Sequence, residues 1–301
     1  MLKRLIKNGP LLIVIAALLW ALDGVIRRSL FTLTPIVIVF YEHLIGSIIL
    51  LPFALKSFLK EKISKKEILL LATVSLLSGV LGTLWFTTAL LKTNYISFSV
   101  VFLLQKLQPL FAISTAAIFL KEKITKKYII WALIALISAY FVSFKNGVVD
   151  FKADINYITA ALYALGAAFA WGTSTTISKM ALIKKSNTYV TGLRFIITTI
   201  FAFMTIFILG AQSTLFTPTL SQYLRFVLIA VSTGMVAVLI YYKGLKLTEV
   251  KVSTILELTF PIFAIIIDGV LYKSFLTPIQ ILATVVLLYS MYKVTLFQKN
   301  K

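Results

Sequence analysis

The chain has no cysteine, one histidine and only ten acidic residues among 301. The missing cysteines exclude disulfides and thiolate metal sites. With a single histidine, the usual catalytic triads and imidazole metal clusters are not expected. Neither an HExxH helix nor a nucleophile elbow is present, and no glycine-rich phosphate loop occurs. Long polar stretches are equally scarce, so there is no room for a soluble domain. No enzymatic activity, cofactor or metal is expected.

What is present is apolar. Hydrophobic residues make up 60% of the chain and the mean hydropathy is +0.99, well above the roughly half-apolar make-up of a soluble domain. A soluble fold could not cover that surface, so lipid must be the solvent. A spanning helix needs about 20 apolar residues. Runs of that size predict ten spans, at 11–29, 36–55, 68–90, 97–119, 129–144, 157–180, 190–209, 222–242, 252–272 and 279–296. The fold class expected is therefore an all-α polytopic membrane protein with ten transmembrane helices. Lys3, Arg4 and Lys7 precede the first run as in a signal peptide, but Asp23 interrupts it and no convincing small-x-small cleavage site follows, so it reads as a span.

The net charge of +20 is explained by orientation and needs no nucleic acid partner. With the N-terminus placed inside, twenty-one of the 30 Lys and Arg residues fall at cytoplasmic ends and seven at outer ends. Lys106 and Arg194 remain within spans. The positive-inside asymmetry places both termini in the cytoplasm of a multi-pass cell-membrane protein.

The chain also repeats itself. QKLQPLFAI around Pro109 returns 152 residues later as ELTFPIFAI around Pro261, and Lys121 and Thr125 fall on Lys273 and Thr277 in that register. AALLW ending at Trp20 returns as AAFAW ending at Trp171. The polar stretch 145–156 divides the chain into halves 1–150 and 151–301. Each half has five spans, an odd number, so the second must insert upside down relative to the first. Inverted repeats of this kind mark carriers whose substrate site lies between the repeats.

Pro109 and Pro261 are the prolines that fall well inside spans, and each is expected to kink its helix. Glu257 lies one turn before Pro261, and its counterpart Gln105 one turn before Pro109, with Gln108 at the margin of that face. Ionisable groups at membrane depth are costly and often functional, so these three are candidate substrate ligands. Glu257 is either a ligand or proton acceptor, or a carboxylate satisfied by Lys106 or Arg194. Trp20 and Trp171 sit inside their spans at matched positions and are expected to wall a pocket. Glu42, His43, Lys106 and Arg194 are candidates for charge pairing or coupling, His43 matching Arg194 in the repeat. Asp23 is expected to pair with Arg27 or Arg28 near the outer surface, and Asp268 reads as structural. Gly79, Gly82 and Gly234 fit close helix approach.

The AALLW and AAFAW openings, the GLRF stretch around Arg194, YYKGL at 241–245 and the proline-centred spans resemble the drug/metabolite transporter superfamily, specifically carriers with two EamA repeats. In FLKEKIT, Glu122 resembles the family's motif glutamate, whereas Ser274 stands at the corresponding place in the second repeat. The resemblance implies fourth and ninth spans near a central cavity, lined also by the first, third, sixth and eighth, with the fifth and tenth peripheral. The expected activity is movement of a small organic metabolite, such as an amino acid, amine or drug-like solute, by alternating access, with proton-coupled efflux as one form. A membrane-embedded transferase and a passive channel are the alternatives. The sequence leaves a homodimer open.

Overall fold

The computed structural model describes residues 8–92, 101, 104–144, 147–148, 155–273 and 276–297, and every regular element among them is helical. Lys3, Arg4, Lys7, Phe102, Ser274, most of the 145–156 joint and the side chain of Asp268 lie outside that description.

In the first half, α1 (Gly9–Arg28) and α2 (Pro35–Lys60) are followed by α3 (Lys65–Val74), a π-helical segment Ser75–Gly82 and α4 (Thr83–Lys92). Next come α5 (Gln108–Phe119) and α6 (Lys126–Ser143). The second half contains α7 (Ile155–Lys184), α8 (Asn187–Ile208), α9 (Leu220–Val231), α10 (Met235–Leu247), α11 (Val250–Leu256), α12 (Thr259–Tyr272) and α13 (Pro278–Thr295). Among the described residues, eight helical stretches are long and apolar enough to cross a membrane, and α5 is a shorter apolar helix. The expected fourth span lies partly outside the described residues.

Local sequence explains where the helices start. Pro10, Pro35 and Pro278 occupy first turns, where the missing N–H costs nothing. Ser64, Thr219 and Thr277 form capping boxes with Glu67, Gln222 and Gln280. The second helix exceeds its expected length, running through Pro52 to Lys60. Lys60 in its last turn complements the helix dipole.

The repeat is visible in the backbone. Lys121 and Lys273, 152 residues apart, have φ of 56° and 52°, the only positive values at non-glycine residues in the described chain. Four residues later, Thr125 and Thr277 cap α6 and α13 in the same way, each accepting from the N–H three residues on.

Packing between the halves is reciprocal. α1 lies against α10 and α12, while α7 lies against α4 and α5; α2 packs on α8, and α6 on α13. The last pair sits apart, with Trp131 edge-on to Tyr289 at 5.5 Å. Ile130, Leu133, Leu282 and Val285 on this pair are exposed, as lipid-facing positions should be.

Candidate functional site

Between the halves is a cavity of about 300 Å³. All nine residues singled out from the sequence line it: Trp20, Glu42, His43, Gln105, Lys106, Gln108, Trp171, Arg194 and Glu257. None of its lining comes from α6 or α13 among the described residues, in keeping with their peripheral packing.

Pro109 and Pro261 each follow an interruption of the α-helical ladder. Residues 104 and 105 are helical, 106 and 107 form a turn, and α5 begins at Gln108 with Pro109 in its first turn. Likewise α11 ends at Leu256, Glu257 and Leu258 form the turn, and Pro261 falls in the first turn of α12. The expected kinks take the form of short breaks in the α-helical ladder, with Leu107, Glu257 and Leu258 still right-handed and the prolines in the first turns that follow, at little hydrogen-bond cost. The breaks present Gln105 and Lys106 from one half, and Glu257 from the other.

A hydrogen-bonded chain joins them. Lys106 Nζ donates to Gln105 Oε1 at 3.5 Å, Gln105 Nε2 to Gln108 Oε1 at 3.2 Å, and Gln108 Nε2 to Glu257 Oε2 at 3.0 Å. From the other side, the Tyr241 hydroxyl donates to Glu257 Oε1 at 2.6 Å. Glu257 is thus held by a phenol and an amide, and neither Lys106 nor Arg194 pairs with it. Tyr241 sits within YYKGL, but nothing in its spacing marked it as the partner of a carboxylate 16 residues away.

Aromatic rings form the walls. Trp20 packs on Tyr241 with centroids 5.0 Å apart, and Trp171 on Phe86 at 5.2 Å. Trp171 is fixed by its indole N–H, which donates to the Ser78 carbonyl of the π-helical segment at 3.2 Å. A Cβ on Gly82 would lie 2.5 Å from that indole nitrogen, so the small residue admits the ring. π-Helical turns often occur at functional sites; here one brings Ser78 to both Trp171 and Arg194.

The remaining charges are paired in ways the sequence only partly indicated. Arg27 meets Asp23 at 2.7 Å, as expected, but also Glu42 at 2.9 Å. Arg27 and Glu42 are buried, Asp23 is half-buried, and all three line the cavity. Thr233, in the break between α9 and α10, donates to Asp23 at 2.6 Å. Arg194 donates to Tyr242 and Ser78 hydroxyls at 2.9 and 2.7 Å. His43 Nδ1 donates to the Val39 carbonyl at 2.9 Å in its own helix, with its ring beside Phe195. His43 and Arg194 thus share a repeat position but not a role.

Lys179, counted among the cytoplasmic span-end cations, and Glu122, at the motif glutamate, both fasten backbone; the first is buried and the second half-buried. Lys179 donates to the carbonyls of Leu245, Lys246 and Thr248 at 2.6, 2.9 and 2.8 Å, closing the end of α10. Glu122 accepts from the backbone N–H groups of Val250 and Lys251 at 2.7 and 2.9 Å, capping α11. Burial pushes the Glu122 carboxyl above the ordinary carboxylate range, against the pull of those two amides.

A helical chain with a polar, aromatic-walled cavity between two similar halves has the form of a membrane carrier, and the comparisons agree. The EamA-like transporter family matches twice, over residues 7–144 and 158–296, and the chain belongs to that family. It is 34% identical over 291 residues to the riboflavin transporter ImpX of Fusobacterium nucleatum subsp. nucleatum, covering 96% of this chain and 97% of the relative. It is also 27% identical over 226 residues to protein LicB of Haemophilus influenzae, with 75% of each covered. A solved crystal structure superposes with a TM-score of 0.74 at 17% identity, covering 96% of both chains; at that identity the likeness concerns the fold alone.

Proposed function

We propose that this membrane transporter carries riboflavin, or a flavin close to it, across the cell membrane by alternating access between two inverted five-helix repeats, 1–150 and 151–301. The observation that carries the reading is the pairing of aromatic walls with a hydrogen-bonding chain in one cavity. Trp20 and Trp171 offer faces for a planar tricyclic ring, and Gln105, Gln108 and Glu257 offer amide and carboxylate groups to its polar edge. The full-length similarity to a riboflavin transporter supports the same substrate. No covalent step is involved: transport follows from binding the substrate in inward-open and outward-open states. Ten spans with both termini cytoplasmic complete the proposed topology, supported by the charge asymmetry and the two family matches. A coupled proton would be carried at Glu257, since no lysine or arginine among the described residues forms an ion pair with it.

Purified protein in liposomes tests this directly. Riboflavin flux should saturate, be competed by excess unlabelled flavin and fall on the order of tenfold in Trp20→Ala or Trp171→Ala. Flux that rises linearly with concentration would indicate a channel. No flux above empty liposomes would remove the flavin reading.

A further inference from the structure

The two helix breaks carry opposite charge. At the 152-residue offset, Gln105 corresponds to Glu257 and Lys106 to Leu258. One break therefore contributes a cation with no counterpart, and the other an anion where its partner has an amide. Lys106 is 8% exposed. Its ammonium has three N–H donors, yet its hydrogen bond is the long one to Gln105, and Phe260 covers it with the ring centroid 4.6 Å from Nζ. No carboxylate among the described residues pairs with it. Burying such a charge without a partner is expensive, so the cavity contains an unspent donor. At the other end Glu257 accepts two hydrogen bonds and retains further lone pairs. Between them, each glutamine amide has donor or acceptor capacity left over.

We propose that this polarised chain recognises a cyclic imide edge, with Lys106 donating to a ring carbonyl and Glu257 accepting from the ring N–H beside it. The proposal rests on the flavin reading and deepens it, because the dioxopyrimidine ring of riboflavin has that carbonyl, N–H, carbonyl edge. A ligand with acceptors alone would leave Glu257 unanswered, and one with donors alone would leave Lys106 so. An aliphatic zwitterionic amino acid answers both ends but gives Trp20 and Trp171 no planar surface to stack on, and an aromatic one lacks the ring carbonyl beside a ring N–H. Lys106 then sets specificity: it rewards a planar heterocycle with a carbonyl at one position along the edge. The repeat asymmetry acquires a purpose on this view, since a symmetric pair of breaks would offer two like ends to an edge whose groups differ.

Calorimetric titration of the purified full chain separates the possibilities. Riboflavin should bind wild-type protein on the order of 10- to 100-fold more tightly than N3-methylriboflavin, whose ring N–H is blocked, because a charged hydrogen bond is lost. Lys106→Met should weaken riboflavin by a similar factor, with part of the affinity retained in Lys106→Arg. In Glu257→Gln the preference for the unmethylated flavin should shrink. Equal affinity of wild-type protein for the two flavins overturns the proposal, and so does full riboflavin affinity in a folded Lys106→Met variant. Lumazine, which has the same imide edge without the ribityl chain or third ring, distinguishes this failure from that of the flavin reading. If lumazine binds and its N3-methyl derivative does not, while riboflavin fails, the edge is confirmed and the flavin assignment falls. Absence of binding by both riboflavin and lumazine overturns the edge as well.

Discussion

At the residue scale, the cavity's charges differ in what their loss would do. Arg27 touches both Asp23 and Glu42 from a buried position. Removing one partner of such a cluster typically costs about 3–5 kcal/mol, because the charges left behind stay buried. Arg27→Met should therefore lower the thermal midpoint of the detergent-solubilised protein steeply. Double replacement with Asp23→Asn should restore part of it, and an unchanged midpoint in the single variant would show that the cluster is solvated. Glu42, Lys106 and Gln108 were readable as polar residues within apolar spans, and the duplication marked others twice. Trp20 with Trp171, and Gln105 with Glu257, stood out because each half vouched for the other. Arg27 and Tyr241 were not legible as cavity residues, because each acts through a neighbour on another helix and no spacing within one helix reveals that. Lys179 read only as a cation at a cytoplasmic span end for the same reason: its three carbonyl partners lie more than 60 residues away.

At the element scale, helices lose regularity where they face the cavity. The breaks before α5 and α12, the π-helical segment between α3 and α4, and the gap between α9 and α10 all lie beside it. Prolines announced the first two, though as kinks. The other two had only Gly79, Gly82 and Gly234 as outward signs, and a glycine in an apolar run reads equally well as close packing. Gly82→Ala separates those meanings. Replacing glycine by alanine in a helix ordinarily favours it by about 1 kcal/mol, but here the methyl would meet the Trp171 indole. Substrate affinity should fall several-fold while the protein remains folded. A variant with unchanged affinity would show that Trp171 yields without consequence. Glu122 and Lys179 anchor the ends of neighbouring elements, so the chain around 245–251 is held at both sides of the turn.

At the scale of the whole molecule, each half uses the other to bury its faces. The proposed orientation in the bilayer rests on the charge asymmetry and can be read out in a chain with no native cysteine. Single cysteines at Lys62 and Thr217, both exposed and on opposite sides of the proposed topology, give a direct measurement. An impermeant thiol reagent on intact cells should label position 217 and spare position 62; the reverse pattern would invert the topology. The ion cluster also bears on how the protein is made. Asp23, Arg27 and Glu42 leave the ribosome within one helical hairpin, so the guanidinium can enter lipid with its counter-charges beside it. Arg194 finds Ser78 already synthesised but waits 48 residues for Tyr242, and Lys179 waits longer still for the carbonyls that close α10. Nascent chains that stop short of α10 should therefore remain with the insertion machinery, whereas the first hairpin can be released early.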